Sequence, residues 1–411
     1  MRIIVTGQSG LGKATYLEEV KKFLEQEHRT IYIETLGRRM IRIAGEQVTE
    51  TTILNIPVDH LATVRKCALR EFLKKVDNLK SEFIVLNSHA VFRWHHGLIP
   101  ALDIETIKRF EPDLIVCLID DAQKIKKGLQ DRGTDFLSFW ELFAWREEEI
   151  WISKMLADAS ADISGKKVKF YLIPKAQGPE LLAQILLNPE RPKAYASFPI
   201  TGLSTEEEEE VAAFREELKK HIIVFDPYAI RERSLLSIAY TFLEEVEEGM
   251  IEEYRRLLRK SFAHLKEASG KIFDPSLDKQ SVQVFLNTES QNNRWGFLAS
   301  LDFFVEGAHI AGSELRSTLE AIDSQIISRD YLLIDQSDFV IMYIKSMEKK
   351  RRPLISAGSQ SEMVYAYSRG KPVYVIYEHG AKHLSPWVTQ YAKVFRTLQE
   401  CLSHIQGEYQ S

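Results

Sequence analysis

The segment Gly7-Gln8-Ser9-Gly10-Leu11-Gly12-Lys13 constrains this chain more than any other. It follows a short β-branched run, Arg2–Thr6, and leads into a stretch, 15–27, with apolar residues at helical spacing. A G-x-x-x-x-G-K sequence between strand and helix lets backbone N–H groups close on phosphate oxygens while the lysine reaches the outer phosphates. Gly7, Gly10, Gly12, Lys13, Ala14 and Thr15 are therefore the expected phosphate-binding residues. Ala14 stands where a Ser or Thr hydroxyl ordinarily ligates magnesium, and Thr15 comes one residue late. Phosphate cradling is expected to survive this change, and metal-assisted phosphoryl transfer is put in doubt.

The first half alternates strand-like runs (2–6, 30–34, 82–86, 114–119, 167–173) with helical patterns (15–27, 58–78, 104–110), which predicts a mainly parallel sheet covered on both faces. The segment Asn188-Pro189-Glu190-Arg191-Pro192 reads as a boundary, giving domains at 1–190 and 191–411. Alternation restarts with strands at 193–198 and 221–225, and the acidic run Glu206 to Glu210 reads as a first helical turn. Residues 231–324 are rich in helix formers and predict a helical insertion. Strands resume at 339–344 and 373–377.

The first half resembles the adenylate-kinase-like P-loop kinases, particularly the archaeal type. The phosphate loop, Asn87-Ser88-His89-Ala90, Gly97-Leu98-Ile99-Pro100-Ala101-Leu102 and Pro112-Asp113-Leu114-Ile115-Val116 carry the resemblance, over about residues 1–180. It implies ATP or another nucleotide at the loop, with Mg2+ as an accompanying ion, and a lid of arginines for which Arg132 and Arg146 are candidates. Asn87 departs from the family's pattern, where an acidic residue begins the Asp-Thr-His triplet. This part is thus expected either to phosphorylate nucleotides or to sense them.

In the second half, Asp330 sits within the apolar helical stripe Ile326, Ile327, Tyr331, Ile334, and an inward carboxylate needs a partner or a job. Gly358 and Ser359 allow close backbone approach to a ligand, and Glu362 is expected in the first turn of the helix that follows. These pieces, with Lys193 to Ile200 and Gly370-Lys371-Pro372, resemble the nucleoside 2-deoxyribosyltransferase family and its nucleotide N-glycosidase relatives. Asp330 and Asp338 match the family's two aspartates, and Gly358-Ser359-Gln360-Ser361-Glu362 its Gly-Thr-x-x-Glu segment with Ser359 for Thr. The resemblance implies a doubly wound domain in which Glu362 attacks the anomeric carbon of a (deoxy)ribose. Asp330 would help protonate the departing base or hold the sugar, Tyr195 would orient Glu362, and Asp338 would be structural or position the sugar. Water as acceptor makes a hydrolase, another base a transferase.

The run Lys349-Lys350-Arg351-Arg352 reads either as a solvated loop or as an anchor for a substrate phosphate through Arg351 and Arg352. The expected function is cleavage or exchange of the N-glycosidic bond of a nucleoside or nucleotide, coupled to a nucleotide-binding kinase-like domain. The alternatives are a bifunctional salvage kinase/transferase and a non-catalytic nucleotide-sensing scaffold.

Composition limits the partners. With 54 basic and 59 acidic residues the net charge is −5, too balanced for a general nucleic-acid binder. Apolar runs such as Leu114–Ile119 are far shorter than a membrane span, and the chain opens on a strand rather than a secretory leader. Three cysteines suit neither a disulfide framework nor a zinc cluster, and His89, His95 and His96 show no metal-ligand spacing. No metal site is expected in the protein itself. A cytoplasmic location is expected, with a homo-oligomer as an option because the resembled transferases share active sites between subunits.

Overall fold

A computed structural model describes residues 1–94, 97–134, 137–199, 205–230, 232, 271–272, 282–286, 301–305, 308–347 and 352–410. The chain divides into two compact units, one comprising 1–18, 29–171 and 230–325, the other 19–28, 172–229 and 326–411.

The first unit is built on a five-stranded sheet in the order β2-β3-β1-β6-β7, from β1 (Arg2–Thr6), β2 (Ile31–Thr35), β3 (Phe83–Asn87), β6 (Leu114–Ile119) and β7 (Lys169–Pro174). The pairs β2·β3, β3·β1 and β1·β6 are parallel. Their sequences read as continuous apolar runs because both faces are covered: Ile3, Ile4 and Val5 are fully buried, as are all six residues of β6. Ile4, Leu86 and Ile115 pack beneath Phe72 of α3 (Val58–Val76), Phe110 of α4 (Ile104–Phe110) and Leu156 of α6 (Phe139–Ser164). A small hairpin, β4 (Val91–Trp94) with β5 (Gly97–Pro100), follows β3. Helix α1 is Lys13–Gln26, α2 is Leu36–Ala44 and α5 is Ala122–Gln130.

Helix α6 opens on a capping box. Ser138 accepts the N–H of Glu141, and the Glu141 carboxylate accepts the N–H of Ser138, a reciprocal cap.

The second unit carries its own five-stranded sheet, β18-β17-β14-β8-β9, in which each adjacent pair is parallel. Its strands are β8 (Lys193–Ser197), β9 (Ile223–Phe225), β14 (Phe339–Tyr343), β17 (Val373–Ile376) and β18 (Lys393–Phe395). Counted in chain order from β8, this is the 2-1-3-4-5 arrangement of doubly wound α/β sheets. Helices α7 (Pro179–Leu187), α8 (Thr205–His221), α9 (Leu315–Asp335), α10 (Ala357–Ser368), α11 (Pro386–Thr389) and α12 (Leu398–Gln410) complete the described helices. Ala194 and Ala196 join one core with Phe339, Ile341 and Phe214. By the two-residue period of a strand, Tyr195 and Ser197 share the opposite face.

The expected helical insertion at 231–324 falls largely outside the described residues. The pieces that are described correct it: β10 (Lys271–Ile272), β11 (Val282–Leu286), β12 (Leu301–Val305) and β13 (Ala308–Ala311) form a four-stranded antiparallel sheet. Helix formers averaged over the whole segment masked the β-branched and aromatic residues of Val282–Leu286 and Leu301–Val305. A second short antiparallel pair joins β15 (Lys345–Met347) to β16 (Arg352–Leu354). Cys67, Cys117 and Cys401 are unpaired, and among the described residues no helix is long and apolar enough to cross a membrane.

Candidate functional site

The loop after β1 is shaped by glycine. Gly7 and Gly12 have φ of 131° and 77°, and a Cβ on Gly7 would lie 2.4 Å from the Leu118 carbonyl oxygen. A glycine outside the motif matters equally. Gly128, inside α5, faces the loop so closely that a Cβ there would lie 2.3 Å from the Gly10 carbonyl oxygen.

Loop, β2–α2 and the β3 end enclose a cleft of about 350 Å³. Gly10, Gly12, Lys13, Ala14 and Thr15 line it, as does Arg132 of the expected set, joined by Arg38, Arg65, Asn87, Ser88 and His89. Lys13 Nζ donates to the carbonyls of Gly7 (2.5 Å) and Gln8 (3.0 Å). Burial lowers the Lys13 ammonium to about 8, against the opposing pull of Glu149.

Glu149 was not legible as a site residue. It lies on α6, 1% exposed, and accepts the N–H of Gly7 (3.2 Å), Ala90 (2.7 Å) and Val91 (3.0 Å). His89 Nδ1 stands 3.2 Å from the Glu149 carboxylate and 3.5 Å from Lys13 Nζ. Burial, then the Lys13 charge, hold the His89 imidazole below its ordinary range, so it is neutral at pH 7. Its role is hydrogen bonding, and among the described residues no group of His, Cys, Asp and Glu is set to hold a metal. His95 and His96 lie outside the described residues.

Arg146, the second expected lid arginine, is placed elsewhere. Its guanidinium lies over the Phe143 ring and donates to Glu232 (2.5 Å) and Gln325 (2.6 and 2.9 Å), and it does not line the cleft. Two polar side chains, the Asp120 carbonyl and an aromatic face occupy it, so it buttresses α6 rather than facing the phosphate loop.

In the second unit, Glu362 is the centre of a compact polar cluster. Tyr195 Oη donates to Glu362 Oε1 (2.9 Å) and Ser197 Oγ donates to Oε2 (2.6 Å). Both donors come from the carboxyl half of β8, beside β14, at the point where the strand order reverses and a crevice forms in such sheets. Burial and then the Asp330 charge raise the Glu362 carboxyl to about 7, although both hydroxyls pull it down. Asp330 is 7% exposed and is raised by burial, with the Arg329 guanidinium 3.0 Å away opposing this. Burial, Asp330 and Glu362 together hold the Tyr195 phenol well above its usual range, so it is a donor throughout the physiological range.

The start of α10 corrects one expectation. Ser356 is the cap, accepting the N–H of Ser359 (3.0 Å), so the helix begins at Ala357 and Glu362 lies in its second turn. Serines at 356 and 359 both suit a cap, and the earlier one takes it. Ser359 is buried, with its Oγ 3.0 Å from that of Ser356; Gly358 is exposed beside them. Asp338 is not brought to Glu362. It accepts the N–H of Lys193 (2.8 Å), stitching the amino ends of β8 and β14 together, while Tyr195 and Ser197 lie further toward the carboxyl ends. Arg351 lies outside the described residues, and Arg352 begins β16. Ser197 was missed by sequence reading. The signal was its place two residues after Tyr195, on the same strand face.

Comparison with known proteins bears on the first unit. Residues 6–136 match a family model described as an AAA domain. The chain is 27% identical over 174 residues to an adenylate kinase of Methanopyrus kandleri, covering 41% of this chain and 86% of that protein. An adenylate kinase of Methanocaldococcus jannaschii is 24% identical over 186 residues, 42% of this chain and 93% of its own length. One from Sulfurisphaera tokodaii is 27% identical over 175 residues, 41% and 89%. With the phosphate loop and the 2-3-1-4-5 order of the first sheet, these similarities support a P-loop kinase-like N-terminal part.

The buried Glu362 has a measurable signature. A carboxyl raised from an unfolded value near 4.5 to about 7 stabilises the fold only while protonated. That contribution is fully present below pH 4.5 and is lost as pH rises through 7. Glu362→Gln carries no such penalty, so its stability relative to the parent should grow between pH 5 and pH 8, by about 2 kcal/mol. Thermal unfolding across that range checks this, and a pH-independent difference would contradict the buried charge.

Proposed function

We propose that the second unit cleaves the N-glycosidic bond of a nucleoside or nucleotide, and that the first binds a nucleoside triphosphate such as ATP at its phosphate loop. On this reading the chain has two functional domains, 1–190 and 191–411, with the insertion at 231–324. The observation that carries the glycosidic half is Glu362, gripped at both oxygens by Tyr195 and Ser197 and set beside the buried Asp330. The resemblance to the nucleoside 2-deoxyribosyltransferases supports the same assignment.

The chemistry follows from that arrangement. A Glu362 oxygen forms a bond to the anomeric carbon as the bond to the base nitrogen breaks, through an oxocarbenium-like transition state. Asp330, already charged when Glu362 ionises, holds the sugar and relays a proton from water to the departing base. Water or a second base then attacks the same carbon and releases Glu362. Two hydroxyl donors fix the carboxylate plane without fully quenching its charge, which suits a nucleophile that must also leave. Gly358 and Ser359 shape the approach to the sugar, and Arg351 with Arg352 are the proposed anchor for a substrate phosphate. Asp338, which ties β8 to β14, acts through the sheet.

A second reading, nucleotide phosphorylation by the first unit, is favoured by its likeness to three adenylate kinases. The replacement of the usual hydroxyl at Ala14 and of an acidic residue at Asn87 speaks against it. The bifunctional enzyme and the non-catalytic scaffold remain the alternatives.

Three expectations follow. Wild-type protein incubated with a panel of nucleosides and nucleotides should release free base, followed by chromatography, and Glu362→Gln should release none. Absence of base release from every substrate, with or without ATP, would defeat the glycosidic reading. The nucleophile must be ionised, so the rate should rise with pH through about 7. Because the Ser197 bond pulls the Glu362 carboxyl down, Ser197→Ala should move that acidic limb to higher pH with little change in KM. A limb that stays in place would assign Ser197 to folding alone. In the first unit, phosphates bind the charged form of Lys13, which empties as pH rises through about 8. ATP affinity should therefore be about tenfold weaker at pH 9 than at pH 7. Calorimetry in buffers of different ionisation enthalpy should show proton uptake on binding at the higher pH.

A further inference from the structure

We infer that the phosphate cleft takes a nucleoside polyphosphate without a magnesium ion, its charge being met by the protein's own cations. This rests on the nucleotide reading above and deepens it. In P-loop sites magnesium is held by an oxygen on the residue after the lysine and by a carboxylate on a nearby strand, because the ion sheds its water reluctantly and needs anionic ligands.

Neither is present. Ala14 lines the cleft and offers a methyl group. Asn87 ends β3 beside Val5 of β1 and brings a neutral amide, whose Oδ1 is buried with no hydrogen-bond partner. The Ser88 Oγ next to it is likewise buried and unpartnered. These two side chains are 4% and 5% exposed and line the cleft, so their open valences can be met by a ligand bound there. They are suited to hydrogen bonding: Ser88 can donate to a phosphate oxygen, and Asn87 can accept from a hydroxyl or a water.

Apart from the exposed Glu50, the nearby carboxylates are committed elsewhere. Glu149 is occupied by the N–H groups of Gly7, Ala90 and Val91. Asp120 and Asp121, which follow β6, pair with Lys124 at 3.5 and 2.7 Å. Glu50 lines the cleft from an exposed position.

The cationic side is well supplied. Lys13, Arg38, Arg65 and Arg132 line the same cleft against the single charge of Glu50. Arg65 holds the Pro100 carbonyl through Nη1, while its Nε is buried without a partner. Guanidinium groups can neutralise phosphates in the way a metal otherwise would. A site that keeps the phosphate cradle and the cations but lacks the metal's ligands holds a nucleotide without being built to transfer its phosphate.

The test is calorimetric titration of the full chain with ATP, in excess magnesium and in excess EDTA. The expected result is binding at least as tight in EDTA as in magnesium. Restoring both ligands by Ala14→Thr with Asn87→Asp should make magnesium tighten binding by roughly tenfold or more. If that pair does not fold, Asn87→Asp alone makes the same comparison. Wild-type binding that weakens roughly tenfold in EDTA would overturn the inference while leaving nucleotide binding intact. Restored variants that stay indifferent to magnesium would overturn it too, since the missing ligands would not be the cause. Failure to bind ATP under either condition would instead remove the nucleotide reading itself, and the inference with it.

Discussion

A carboxylate taken out of water must find donors, and the kind of donor decides what it can do afterwards. Both candidate sites of this protein turn on that constraint. Glu149 is met by three backbone N–H groups, from Gly7, Ala90 and Val91, which are fixed by the strands and loop that carry them. It joins α6 to the phosphate loop and the end of β3. Glu362 is met by two hydroxyls, which rotate and release, and burial with the Asp330 charge brings it to about 7. The first carboxylate is structural. The second is placed to exchange its proton near neutral pH.

Parallel sheets place both clusters. In each unit the polar residues gather at the carboxyl ends of adjacent parallel strands: Asn87 after Val85 and Leu86 in one, Tyr195 and Ser197 on β8 in the other. The apolar interiors of those strands are what make the sheets, and the change to polar residues at their ends is what makes the sites. This is why so much was legible. The run Arg2–Thr6 and the glycine loop announced the first site, and 193–198 with Glu362 announced the second, because strand ends and glycine-rich turns carry their own spacing rules.

What escaped reading was whatever depends on residues distant in sequence. Glu149 looks like one more acid on a long helix until α6 is laid against the loop 142 residues earlier. Arg146 carries a lid arginine's chemistry, but Glu232 and Gln325 occupy it. Ser197 gains meaning only when Glu362 arrives from 165 positions away. Asp338, which the resemblance left as structural or sugar-positioning, closes the strand start through Lys193. In the insertion, composition outweighed alternation, so strands were read as helix.

Gly128 gives the phosphate loop a dependence of another kind. Its missing side chain is the space into which the Gly10 carbonyl fits, so α5 and the loop touch backbone to backbone with no flexible group between them. A side-chain contact can absorb a small displacement by changing rotamer, whereas two main chains cannot. Motion of α5 is therefore passed to the loop undamped, and the rigidity of the phosphate cradle is set as much by a helix outside the motif as by the motif's own glycines.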